Sequence, residues 1–211
     1  MKPIEEHYVL NTYNKIAHHF DKTRHSVWPK VQEFINSLHT NSLVADIGCG
    51  NGKNMCRDDI RFEGIDFCPK FVEICKSNGK NAIIGNCIDI PFEDSRFDAS
   101  ISIAVIHHLY KEEDRKQAID ELIRITKSGG KIMIYVWAFI PSKHKEQDSM
   151  IPWKLQDKYR DTNHNNKQNI INRYYHLFIK DELLNLVDIS KASIDNYYND
   201  YNNWIIELTV L

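Results

Sequence analysis

Apolar residues recur at two spacings along this chain, and each spacing sorts the sequence into elements. Near the start Tyr8, Tyr13, Ile16, Ala17 and Phe20 fall three and four residues apart, which predicts an amphipathic helix. After "TRHSVWP", Pro29 opens a second helix through "KVQEFINSL", because proline at a first helical position gives up only a hydrogen bond that the helix would not make. "LVADIGCGNGK" reads as a buried strand running into a glycine-rich turn, and "FEGIDFCP" as a second strand ending in an acid. A helix from Lys70 to Ser77 and the short apolar strand "NAIIG" follow. "DASISIAVIHHL" is a further apolar strand, leading to a charged helix through Arg124, a "KSGG" turn and the strand "KIMIYVWAF". Strands alternating with helices in this way predict an α/β fold built on a doubly wound parallel sheet. "KDELLNLV" predicts a short helix, and runs at Ile189 to Tyr197 and Trp204 to Leu211 are close enough for an antiparallel hairpin at the sheet edge.

One stretch resists a purely structural reading. In "NRYYHLF", alternation sends Arg173, Tyr175 and Leu177 to one face and Tyr174, His176 and Phe178 to the other. A half-buried strand explains the pattern but leaves an arginine and a histidine without a purpose.

Composition narrows the class. With 211 residues, 42% of them hydrophobic, the chain can bury a full core as one domain over 1–211, with an N-terminal helical cap over 1–42 and a basic loop over 141–172. Eighteen apolar residues never run together and the start lacks a secretory apolar core, so a soluble, cytoplasmic protein without membrane contact is expected. The five cysteines form an odd set without a CxxC pair, which favours neither disulfides nor a zinc ribbon, and no metal is expected. A net charge of −2 offers no global attraction to nucleic acid, yet Pro141 to Lys180 holds eight basic against four acidic side chains.

The glycines of "DIGCGNGK" stand at 48, 50 and 52, after a strand, where a backbone turns tightly against a ligand. A dinucleotide fingerprint would place its third glycine one residue later. Asp66 ends the second strand 20 residues after Asp46, where a carboxylate can take both hydroxyls of a ribose. Together these predict a cofactor that carries a nucleoside.

"VADIGCGNGK" followed by "GIDFCP" resembles the first two motifs of class I S-adenosylmethionine-dependent methyltransferases. That resemblance implies a Rossmann-like, seven-stranded, mostly parallel sheet with an antiparallel C-terminal strand. It implies that Gly48 and Gly50, with Asp46, pass under the methionine part of S-adenosylmethionine. Asp66, beside Phe67, would bind the ribose; Asn86 with Cys87 would meet the adenine; and Ala104 would lie at the cofactor after the fourth strand. The Asn/Asp-Pro-Pro-aromatic signature of amino-group methyltransferases is missing, and "FCPK" does not resemble the nucleophile motif of cytosine methyltransferases.

"YNKIAHHFDKTRHSVWP", "AVIHHL", "YVWA", "IPWKL" and "RYYHLF", in this order, resemble the tRNA carboxymethyluridine methyltransferases, which esterify a modified wobble uridine. The resemblance implies that Tyr13 and Arg24 lie over the methionine end of the cofactor, that His107, Arg173, Tyr175 and His176 belong to the acceptor pocket, and that the tRNA anticodon loop is the substrate. It further implies a small zinc-binding activator subunit added along the Asn81–Gly85 edge strand, beside the apolar Phe71 and Ile74 helix. The chemistry fits: a carboxylate with a pKa of about 4 is already anionic near neutrality, so attack on a sulfonium methyl asks for orientation, not for a base. Two alternatives share the cofactor residues, a methyltransferase of small carboxylic acids and a non-catalytic cofactor-binding subunit. Salt-dependent tRNA binding separates the first, and methyl transfer the second.

Overall fold

The run "LVADI" forms strand β1 (Leu43–Ile47), buried at four of its five positions, as expected of a strand covered on both faces. β2 (Arg61–Asp66), β3 (Ala82–Ile84), β4 (Phe97–Ile103) and β5 (Thr126–Trp137) join it through parallel ladders. The helices Pro69–Ser77 and Glu112–Ile125 carry the chain from β2 to β3 and from β4 to β5. The computed structural model describes residues 2–153 and 171–211. Within them, β6 (Asp148–Trp153) and β7 (Ile171–His176) form a separate two-stranded ladder, while β8 (Ala192–Asp200) and β9 (Asn203–Val210) make the expected C-terminal hairpin. The main sheet has the order β3-β2-β1-β4-β5-β9-β8, and β9 alone runs against its neighbours.

Helices cover both faces. α1 (Pro3–Glu5), a π-helical turn (Glu6–Leu10) and α2 (Asn11–Asp21) form the N-terminal helical segment, and α3 (Pro29–Ser37) and α4 (Pro69–Ser77) both begin on a proline. α5 (Glu112–Ile125) packs Ala118, Ile119 and Leu122 against Ile132, Ile134 and Ile206 on one side of the sheet. α3 packs Val31 and Ile35 against Val44, Ile101 and Met133 on the other. Each of these enclosed Val, Leu, Ile and Met side chains contributes roughly 1.5–3 kcal/mol relative to exposure. The helix predicted from "KDELLNLV" is the single turn α6 (Glu182–Asn185). Among the described residues no helix is long and apolar enough to cross a membrane.

Three expectations change. The "KSGG" turn is absorbed into β5 as an irregularity, because the register with β4 shifts between Phe97 and Ala99. The stretch 141–172 is not wholly a loop: Asp148 to Trp153 pairs residue for residue with His176 to Ile171, while Lys154, Lys158, Arg160 and Lys167 lie outside the described residues. The Phe71 and Ile74 face of α4 is not exposed, since both side chains are buried under Val9, Tyr13, Ile16 and Ala17 from the N-terminal helices. What remains open on that side is the edge of β3, where Ile83 is 38% and Ile84 61% exposed.

Candidate functional site

The site grows from the carboxyl ends of β1, β2, β4 and β5, where an open α/β sheet leaves a crevice. Gly48 leaves β1 with φ +78°, and a Cβ there would meet Val105 at 2.3 Å, so the turn closes on the loop after β4 only without a side chain. Asp66 holds the turn in place: its two oxygens accept from the amides of Gly50 and Cys68 at 2.8 and 2.9 Å. Burial outweighs these bonds and lifts the Asp66 carboxyl to about 6.

Asp46 is more strained electrostatically. It is fully buried, neither oxygen accepts a hydrogen bond, and the Asn54 amide lies beside it without closing one. Burial first, then repulsion from Asp66, raises its pKa to about 7, against attraction from Lys53. An unsatisfied carboxylate under a glycine turn suits a ligand that brings a cation or polar hydrogens.

Two connected hollows open here. The first is apolar and is walled by Gly48, Asp66, Phe67, Asn86, Cys87 and Leu109. Glu5 and Val9 of the N-terminal segment close its far side. The second is bounded by Gly50 and Ala104 at its base and by Tyr13, Arg24, Arg173 and Tyr175 above. Ala104 occupies the left-handed region at φ +63°, held by its amide's hydrogen bond to the Tyr135 carbonyl. A non-glycine residue in that conformation costs of order 1 kcal/mol and marks a turn fixed by its surroundings.

β7 supplies the upper wall, and strict alternation decides which side chains face it. Arg173 and Tyr175 point inward; the Arg173 guanidinium lies 4.7 Å from the Trp153 ring centre and donates to Tyr175 Oη at 2.7 Å. Arg24 approaches the same Trp153 ring at 5.3 Å, so two cations flank one indole. Tyr175 stacks on Trp137 at 4.6 Å. Lys53 also lines this hollow, its ammonium 5.0 Å from the Trp28 ring and its pKa lowered chiefly by burial.

His176 does not belong to that wall. One residue out of phase with Arg173 and Tyr175, it faces away, with Nδ1 2.9 Å from Asp148 and Nε2 against Glu182. Tyr174 donates to the same Asp148 oxygen, and Arg115 approaches Glu182 at 3.7 Å. His107 likewise lies behind the pocket. Its Nδ1 accepts the Trp137 amide at 3.2 Å, its ring sits 4.7 Å from Tyr175, and enclosure keeps it neutral. The histidine on the wall is His108, whose Nε2 is 3.0 Å from Tyr13 Oη.

Sequence reading thus brought Tyr13, Arg24, Gly48, Gly50, Asp66, Phe67, Asn86, Cys87, Ala104, Arg173 and Tyr175 to one crevice, with Asp46 beneath it. It left open which of His107 and His108 faces the pocket, and it missed Lys53, Phe20, Trp137 and Trp153. Trp137 carried a signal, ending the apolar strand β5 beside the site.

Comparison with known proteins follows the same lines. Residues 45–134 match the family described as a methyltransferase domain. A Schizosaccharomyces pombe protein named tRNA (carboxymethyluridine(34)-5-O)-methyltransferase is 38% identical, the match covering 95% of each chain. A Xenopus tropicalis protein of the same name, alkbh8, is 34% identical over 99% of this chain, which spans only 41% of that larger protein. Among solved structures, a chain from the complex between the Haloferax volcanii Trm112 methyltransferase activator and a methyltransferase superposes with a TM-score of 0.69 at 14% identity, covering 98% of this chain and 97% of that one.

Proposed function

The chain belongs to the tRNA (carboxymethyluridine(34)-5-O)-methyltransferase family, and we propose that it transfers a methyl group from S-adenosylmethionine to the carboxylate of 5-carboxymethyluridine at the wobble position of tRNA. The product is a methyl ester. The observation that carries this reading is the inward guanidinium of Arg173, set among Tyr175, Trp137 and Trp153 beside the glycine turn and its two buried acids.

The residues fit the cofactor. Asp66 keeps lone pairs for ribose hydroxyls after accepting two amides, the apolar hollow with Asn86 and Cys87 takes the adenine, and the unsatisfied Asp46 lies under the methionine end with Arg24 and Tyr13 above. When bound, S-adenosylmethionine supplies an electrophilic methyl on a cationic sulfur. The chain itself then has an orienting task. Arg173 holds one oxygen of the acceptor carboxylate, and the aromatic rings pack the uracil. No residue has to remove a proton, because the acceptor is ionised well below neutrality. His107 and His108, both kept neutral by burial, add no cation that would compete with Arg173.

Partners follow from the same reading. A small zinc-binding activator adds a strand to the β3 edge between Asn81 and Gly85, supported by the exposed Ile83 and Ile84 and by the fold shared with the Haloferax volcanii chain. A tRNA substrate goes with a cytoplasmic heterodimer. Ile84→Glu is expected to abolish co-purification with such a subunit while leaving the melting temperature within a few degrees; an intact complex refutes the edge assignment. The activity itself is tested by incubating the chain and its activator with labelled cofactor and tRNA from cells lacking this enzyme. Label entering tRNA supports the reading, and label entering only small carboxylic acids refutes it.

A further inference from the structure

The hydrogen bonds that link Arg173, Tyr175, Tyr13 and His108 form one chain that runs in a single direction, and that direction fixes which atoms the pocket offers. At one end the Tyr174 carbonyl, which can only accept, lies 2.8 Å from His108 Nδ1, so that nitrogen carries the ring proton. Burial holds the His108 pKa down to about 3, so the ring is neutral and Nε2 is a bare acceptor. Tyr13 Oη, 3.0 Å away, therefore donates to it. With its proton committed, Tyr13 Oη can only accept from Tyr175 Oη at 3.3 Å, and Tyr175 Oη accepts from Arg173 Nη1 at 2.7 Å. Both phenol protons are spent inside the protein. Tyr175 Oη keeps a free lone pair, and Tyr13 Oη shares its second only with a long 3.5 Å approach from Arg173.

Both tyrosines line the hollow beside Gly48 and Gly50. We infer that Tyr13 and Tyr175 present lone pairs, and no O–H, to the polarised hydrogens of the sulfonium methyl, and so orient that methyl toward Arg173. The inference rests on the methyltransferase reading above. A methyl on cationic sulfur is an acidic C–H donor, and a phenol oxygen whose own proton is turned away is its matching acceptor. The same lone pairs repel a carboxylate, which leaves the acceptor to the guanidinium. The arrangement sorts the two ligands by charge. His108 is a positioning residue: it acts by holding the Tyr13 proton.

The test compares two cofactor forms by titration calorimetry on the full chain. S-adenosylhomocysteine lacks the methyl and the positive charge but keeps every other contact. Tyr13→Phe is expected to weaken S-adenosylmethionine about two- to fivefold while leaving S-adenosylhomocysteine unchanged, the size of one weak C–H hydrogen bond. Tyr175→Phe is expected to act in the same sense. An equal loss for both ligands, or none for either, in both variants overturns the lone-pair assignment alone. Failure of the wild-type chain to bind either form overturns the methyltransferase reading with it.

Discussion

The two faces of β7 carry the same kinds of side chain and do opposite things. Toward the crevice, Arg173 keeps an Nε with no partner among the described residues and stands over an indole, a cation left short of its hydrogen bonds. Away from it, His176 bonds to carboxylates at both ring nitrogens, and Glu182 also accepts from Gln147 and the Ile179 amide. One face is saturated and the other is waiting. A side chain's chemistry therefore says less about function than its unused hydrogen-bonding capacity does.

Substitutions on the two faces should separate cleanly. Arg173→Ala is expected to lower kcat on tRNA by about two to three orders of magnitude, the usual loss when a preorganised charged contact to the reacting group is removed. Cofactor affinity should stay within about twofold. A comparable fall in cofactor affinity, seen by calorimetry, would move Arg173 from the acceptor to the cofactor.

His176→Ala should do the reverse. Removing a group that bridges two carboxylates, one of them half-exposed, is expected to cost about 2 kcal/mol of stability. Thermal unfolding reads that loss directly. Turnover per folded molecule should fall less than tenfold, and a loss as deep as that of Arg173→Ala at unchanged stability would place His176 in the reaction after all.

The smallest expected effect concerns the acid under the glycine turn. The Asp46 carboxyl is raised from 3.8 to about 7 in the folded chain, so the folded state resists its ionisation. The penalty is absent well below the ordinary value of 3.8, where both folded and unfolded states are protonated, and grows as pH rises to about 7. Asp46→Asn should therefore raise the stability of the ligand-free chain at pH 8 by on the order of 1–2 kcal/mol, and change it little at pH 3.5. It should weaken cofactor binding at both. Equal destabilisation at the two pH values would show that Asp46 is satisfied in a way its hydrogen bonding does not reveal.

Much of this was legible in the sequence, for identifiable reasons. The β1–β5 core and the glycine turn rest on local patterns, apolar runs and glycine spacing, that need no distant partner to be read. β6 escaped because Pro152 and the polar residues around it hide the pairing, which depends on β7 lying opposite. The face of His176 followed from its parity with Arg173, but its role did not, because Asp148 lies 28 residues away in the chain. The choice between His107 and His108 could not be extrapolated from β4, since the 3-10 turn Ile106–His108 breaks the period of two.

The central claim is that the methyl ends on a carboxylate oxygen, and mild alkali tests it most directly. tRNA labelled by this protein from methyl-labelled cofactor is treated with dilute base, and the label is followed. An ester is saponified, so the label should leave the RNA as methanol while the nucleoside retains its carboxylate. Label that stays on the RNA as a stable methylated nucleoside would mean a nitrogen or ribose-oxygen acceptor, and Arg173 would then have no carboxylate to hold.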